Sequence, residues 1–175
     1  MQTLWQFVCV TVLVAAAVAQ NATLPKTEGE SLAGRKVVLP DAARGKVAVL
    51  VFGFTKDSKG PTKAWAEKLQ ADFSTEAEFE LYQLPVLEDV PRLMRGMVIS
   101  GIKKGIPENQ RDHFVPVLQG EKELKMFVGY READDAYVVT LNPAGQVIDQ
   151  RHGSSLDASY DALRTQIQPL LKHPK

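Results

Sequence analysis

Residues Val47 to Phe54 read VAVLVFGF, an unbroken apolar run between Lys46 and Thr55. A strand with one wet face alternates apolar and polar residues. A strand without alternation is buried on both faces, the pattern of a central strand in a sheet covered on both sides. The residues after the run fix its connection. Thr55 to Gly60 is a polar loop, and Pro61 suits the first turn of a helix, where its missing N–H is not needed. Ala64, Trp65, Leu69 and Phe73 recur behind it at helical spacing, and Phe79 to Leu84 (FELYQL) reads as the next strand. A β-α-β unit of this kind implies a right-handed crossover and parallel neighbours.

The cycle repeats less regularly. After a loop marked by Pro85 and Asp89-Val90-Pro91, residues Leu93, Met94, Met97 and Val98 form an apolar helical stripe that Ile102 extends. By spacing, Met94 and Met97 are expected in the core, as is Trp65; an exposed Met face would instead suit an adaptable client groove. Gly101 and Gly105 suggest the end of that helix, with Lys103 and Lys104 near its negative pole. The stretch from Pro107 to Pro116 reads as irregular, and Gly120 to Tyr130 as one short helix turning Leu124 and Phe127 inward. Ala136 to Leu141 and Gln146 to Arg151 flank Asn142-Pro143-Ala144-Gly145, which is type I turn chemistry and predicts a hairpin. Ser154 and Asp157 resemble a capping box ahead of a last helix with Leu156, Tyr160, Leu163, Ile167 and Leu170 on one face. With a short strand at Arg35 to Leu39, the order is β, β, α, β, α, hairpin, α. This predicts an α/β chain with a mixed central β-sheet and helices on both faces, the order of the thioredoxin-like fold.

The N-terminus has a separate purpose. Leu4 to Ala19 is apolar except for Gln6 and Thr11, and Ala17-Val18-Ala19 fits a small-residue cleavage pattern. Residues 1–19 are therefore expected to be a signal peptide, residues 20–34 a flexible arm, and residues 35–172 the thioredoxin-like domain. The protein would be exported, periplasmic or secreted. An uncleaved membrane anchor over residues 4–19 is the competing reading, because no Lys or Arg precedes the run. The one cysteine of the 175 residues, Cys9, lies inside this segment. The chain thus has no intrachain disulfide, no CxxC pair and no Cys-rich zinc site, and cleavage would leave it with no thiol. Its 21 Lys+Arg balance 21 Asp+Glu, so net charge gives no argument for a nucleic-acid partner, or for a membrane partner beyond the N-terminal segment.

Phe52-Gly53-Phe54-Thr55 is similar to the strand-to-loop signature of redoxin-type proteins, especially Sco-like copper proteins, in which cysteines occupy the positions held here by Asp57 and Pro61. Thiol exchange and copper(I) selection both need thiolate sulfur, which a carboxylate and a proline do not supply. The cis-proline that thioredoxins place ahead of the hairpin also has no counterpart in Arg131-Glu132-Ala133-Asp134-Asp135. From about Arg35 to Leu171 the chain resembles the thioredoxin-like ATP synthase assembly factors of mitochondria. The resemblance rests on Gly53-Phe54-Thr55 with Ser58, the helix ending in Ile102, Gly129-Tyr130, Tyr137-Val138-Val139, Asn142 to Gly145, and Gly153. It implies a cysteine-free chaperone for a membrane subunit. The secretory type of the N-terminal segment departs from that family and points to an envelope client.

The candidate binding surface is the loop Thr55, Lys56, Asp57, Ser58 and Lys59 with the Arg92 and Arg95 region. The loop precedes a helix N-terminus, where free N–H groups favour anions; plain capping by Ser58 or Asp57 is the simpler reading. No cofactor and no metal are expected. His113, His152 and His173 share no ligand spacing, and Glu132 with Asp134-Asp135 lacks the form of a calcium loop. The alternative to a protein-binding role is an enzyme of redoxin descent with Asp57 as a base. Asn21-Ala22-Thr23 is a glycosylation sequon.

Overall fold

The computed structural model describes residues 23–155 and 157–171. The expected signal segment, Cys9, the sequon's asparagine and His173 lie outside them. Among the described residues, ten regular elements succeed one another: β1 (Thr27–Glu30), β2 (Lys36–Leu39), β3 (Val47–Gly53), α1 (Lys59–Phe73), β4 (Phe79–Pro85), α2 (Arg92–Gly105), α3 (Glu121–Phe127), β5 (Ala136–Leu141), β6 (Val147–Gly153) and α4 (Asp157–Leu171). Short 3-10 turns stand at Asp41–Ala43 and Glu108–His113.

Every residue of β3 is buried, as its unbroken apolar run requires. It lies inside a four-stranded sheet of order β4-β3-β5-β6, parallel to β4 and antiparallel to β5. Its side chains alternate between two cores. Val47, Val49 and Val51 meet Trp65, Leu69 and Phe73 of α1 and Tyr160, Leu163 and Ile167 of α4. Ala48, Leu50 and Phe52 meet Val37 and Leu39 of β2 and Leu124 of α3. Helices thus cover both faces of a mixed sheet. The hairpin turn forms as its residues predict: the Asn142 side-chain oxygen accepts from the Ala144 and Gln146 amides at 3.0 Å, and Gly145 supplies the positive φ of 79°.

Three expectations are corrected. From Thr27 the lead-in is no flexible arm but β1, paired antiparallel with β2 from Thr27 against Leu39 to Glu30 against Lys36. Leu24 and Leu32 are buried on either side of it, and Gly29 bridges Val117. Backbone pairing and two flanking leucines hold a strand whose own residues are mostly polar. Second, the stripe on α2 does not enter a core. That helix buries no residue, and Leu93, Met94 and Met97 are 99%, 49% and 73% exposed. Its inner side is Arg95, Val98, Ile99 and Ile102, each only half-buried. Third, Asp157 does not complete a capping box but accepts from Lys68 Nζ at 2.7 Å, tying α4 to α1.

Candidate functional site

The loop begins where β3 ends, and Gly53 shows how tightly. A Cβ on Gly53 would lie 2.7 Å from Ser58 Oγ and 3.0 Å from Thr62 Cγ2, so only a glycine lets the first turn of α1 sit on the strand end. Ser58 is buried, and its hydroxyl donates back to the Thr55 carbonyl at 2.8 Å. Thr55 accepts from the Asp57 amide at 3.2 Å and donates its hydroxyl to the Ala133 carbonyl at 2.5 Å. The loop is therefore internally tied and joined to the 131–135 loop.

These bonds decide against side-chain capping. Neither Ser58 nor any other side chain caps α1. The Lys59 amide is taken by the Lys56 carbonyl, and Pro61 has none to give, so few amides remain to form an anion cradle. Lys56, Asp57 and Lys59 are exposed, and the Asp57 carboxylate has no hydrogen-bonding or ionic partner among the described residues. The other two predicted residues belong to a different locality. Arg95 donates to the Val90 carbonyl at 2.9 Å and the Glu88 carbonyl at 2.6 Å, closing the turn that leads into α2. Arg92 stands exposed at the start of that helix.

The backing of the loop is aromatic. Phe54 meets Tyr130 and Tyr137 edge-on at centroid distances of 5.2 and 5.4 Å, and the two tyrosines stack at 5.4 Å. The Tyr137 hydroxyl accepts from the Arg131 and Glu132 amides and donates to the Glu132 carbonyl, so it folds the 131–135 loop around itself. His152 stacks on Tyr137 at 5.7 Å and its Nδ1 is 2.7 Å from Asp135 Oδ2. Lys125 Nζ lies 4.7 Å from the Tyr130 centroid and 2.5 Å from Glu121 Oε1, and that carboxylate raises the lysine pKa. Tyr130 and Tyr137 enter the sequence resemblance without a role, and the structure gives them one. His152 and Asp135 are 17 positions apart and are joined only by the β5–β6 pairing.

At the opposite end of β3 and β4 is a second polar cluster. Glu80 accepts from Lys46 at 2.9 Å and from the Tyr82 hydroxyl at 2.7 Å, with His113 Nε2 at 3.7 Å. Burial works to raise the Glu80 pKa, but the nearby His113 ring, the hydrogen bonds from Lys46 and Tyr82 and the Lys46 charge outweigh it and lower it to about 2. Burial, then Glu80, push the Tyr82 phenol up. The cluster borders a cavity of about 180 Å³ that also involves Gln70 and Gln110, and His113 is accounted for as part of this network. Among the described residues no group of three or more His, Cys, Asp or Glu could hold a metal ion, and no helix is long and apolar enough to cross a membrane.

No family model matches the sequence, and no curated protein matches it. Solved structures do. A SCO1/SenC family lipoprotein from Bacillus anthracis has a TM-score of 0.62 and 16% identity over 87% of this chain and 96% of its own. BsSco, a member of the Sco family of cytochrome c oxidase assembly proteins, has a TM-score of 0.58 and 14% identity over 86% of this chain and 94% of its own. The exposed lipoprotein thioredoxin of Streptococcus pneumoniae has a TM-score of 0.58 and 12% identity, covering 83% and 99%. The fold is thioredoxin-like. At these identities the likeness carries the fold alone, and chemistry has to be argued from the site. In this thioredoxin-like chain the strand-to-helix loop after β3 offers two lysines and one carboxylate without partners among the described residues, and an aromatic backing. Neither this loop nor Pro61 in the first turn of α1 carries sulfur.

Proposed function

We propose that this chain is an exported thioredoxin-fold protein that works by binding, as an assembly factor or chaperone for an envelope protein, and not by thiol exchange. The observation that carries the reading is the loop from Thr55 to Lys59: it keeps the place of a redox loop and contains no sulfur. Without a thiolate, disulfide exchange and copper(I) capture have no ligand or nucleophile there. The two hydroxyls of the loop are also engaged, Thr55 with the Ala133 carbonyl and Ser58 with the Thr55 carbonyl. The apolar segment Leu4 to Ala19 supports export, as does the likeness to two lipoproteins. An assembly role is that of the structurally similar Sco protein, and a client of the ATP synthase type is the narrower form suggested by the sequence resemblance.

Lys56 and Lys59 are the groups best placed to meet a client, and the tie between Thr55 and Ala133 lowers the cost of ordering the loop backbone that carries them. A photo-crosslinking amino acid at Lys56 of the full chain is expected to trap one envelope protein specifically. The same probe in a chain with residues 55–59 scrambled should trap none. Equal adducts in the two chains would remove the loop from the function. Insulin reduction by the full chain should not exceed buffer, and turnover above buffer would overturn the non-redox half of the reading.

A further inference from the structure

We infer that α2 is a docking surface for an anionic lipid bilayer, lying along the headgroup region with Leu93, Met94 and Met97 inserted. This face is separate from the 55–59 loop, and its role does not rest on the binding role proposed for that loop.

Helix α2 spans Arg92–Gly105 and reads RLMRGMVISGIKKG. It contains four cations and no acid. Arg92, Lys103 and Lys104 have no carboxylate partner among the described residues, and Arg95 is bound only to carbonyls. The acids just upstream are directed elsewhere. Glu88 accepts from the Glu121 amide at 2.7 Å, and Asp89 faces Lys125 at 4.0 Å. A chain of zero formal net charge therefore gathers four cations on one helix, with no ion pair to any of them among the described residues and Glu30 the one acid on the facing wall of the adjoining cavity.

On that helix the apolar groups point the wrong way for a soluble domain. Leu93 and Met97 lie one turn apart and point to solvent, with Met94 beside them, while the side facing the domain is half-buried Val98, Ile99 and Ile102. An apolar exposed stripe flanked by cations is the form of a helix that lies in a bilayer interface. A protein groove as occupant would require a matching acidic surface on the partner. A bilayer supplies the negative charge and the apolar depth together.

Chain direction adds a second reason. The apolar segment Leu4 to Ala19 ends just before Leu24, the first buried residue among those described, and β1 follows shortly after. The end of β1 and its adjoining turn, Glu30 to Gly34, form one wall of a cavity of about 330 Å³ whose other wall includes Ile99 and Lys103 of α2. The cavity thus lies between α2 and the end of the first strand to follow the segment, which puts the helix on the side of the domain where that strand enters it.

The test uses the full chain with Cys9→Ser and a nitroxide on Met97→Cys, so that the readout is local to α2 and blind to binding by the N-terminal segment. A second chain carries the label on Gln150→Cys, at an exposed position of β6. With mixed phosphatidylglycerol–phosphatidylcholine vesicles, the label at position 97 is expected to gain access to oxygen and lose access to a water-soluble nickel reagent, while the label at 150 stays aqueous. Vesicles of phosphatidylcholine alone should immerse the 97 label far less. Arg92→Gln, Lys103→Gln or Lys104→Gln should each shift the immersed-to-aqueous ratio about fivefold toward aqueous, the worth of one cation near an anionic surface. A label at 97 that stays as aqueous as the one at 150, on vesicles that nevertheless hold the chain, would overturn the inference. Immobilisation of the 97 label by envelope proteins and not by vesicles would equally overturn it and make α2 a protein interface.

Discussion

Helices α1 and α2 occupy equivalent places in successive β-α units and have nearly equal lengths, 15 and 14 residues. Both carry apolar residues at helical spacing. One buries Trp65, Ala66, Leu69 and Phe73, and the other buries nothing. The difference lies in what each helix is offered. Helix α1 meets the odd-numbered valines of β3 and the apolar face of α4, a surface that can only be covered by more carbon. The inner side of α2 meets a shallow cavity edged by Glu30 to Gly34, and its apolar outer stripe meets solvent. An amphipathic pattern states that a helix has two unlike faces. It does not state which face the domain needs.

Truncating one residue on each helix puts this contrast under the most strain. Trp65 is fully buried and donates its indole N–H to the Gly153 carbonyl at 3.0 Å. Trp65→Ala is expected to cost about 3–5 kcal/mol in urea unfolding, whereas Leu93→Ala should change stability by less than about 0.5 kcal/mol. Equal losses would mean that Leu93 is covered in solution and that α2 packs as α1 does.

The next effect comes from β4, the strand between the two helices in sequence. Glu80 titrates at about 2 in the fold against an ordinary value of 4.5. A depressed pKa contributes stability that is complete above the unfolded value. It is lost as pH falls from about 4.5 towards 2. The wild-type chain should therefore lose up to about 3 kcal/mol across that window relative to Glu80→Gln, and the two should converge at its acid end. Parallel curves in acid-dependent thermal melts would show that Glu80 is not held by Lys46 and Tyr82 in solution.

Gly53→Ala probes the close packing that sets α1 apart. The added methyl meets Ser58 Oγ at 2.7 Å, so a loss of about 2 kcal/mol is expected. Because the clash is with a side-chain oxygen, Ser58→Ala in the same chain should recover part of it, with the coupling measured by a double-mutant cycle. Additive losses would place the first turn of α1 farther from β3 than the hydrogen bonds indicate.

The same contrast separates the parts of the molecule that are legible in the sequence from those that are not. The strand VAVLVFGF announces itself because burial on both faces leaves no room for a polar residue, and the strand-loop-helix order around it is then implied. The strand Thr27–Glu30 leaves no such mark: Glu28 and Glu30 point to solvent, and the segment is held by backbone pairing to β2 and by leucines outside it. In the site, Thr55 to Lys59 is one contiguous run and can be read directly. The aromatic wall cannot, because Phe54, Tyr130, Tyr137 and His152 come together only when β5 pairs with both β3 and β6. Element order places Arg92 and Arg95 near the loop, since both regions come after a parallel strand, yet Arg95 closes its own turn. Local hydrogen bonds to the Glu88 and Val90 carbonyls outcompete a tertiary contact that the element order alone would allow.

The weakest perturbation discriminates best. Leu93→Ser with Met97→Ser removes two large apolar groups from α2, a change that in α1 would unfold the domain. Here both side chains are already mostly in water, so no transfer free energy is lost and no cavity forms. Helix propensity falls slightly at each serine, which leaves a net change within about 0.5 kcal/mol. Urea unfolding of the double variant should match the wild type in midpoint and slope, with far-ultraviolet circular dichroism unchanged. A loss above about 2 kcal/mol could arise only if these side chains are buried in the free protein, as in a dimer joined through α2. Such a loss would grow weaker on dilution, so unfolding at two protein concentrations separates a covered stripe from an open one.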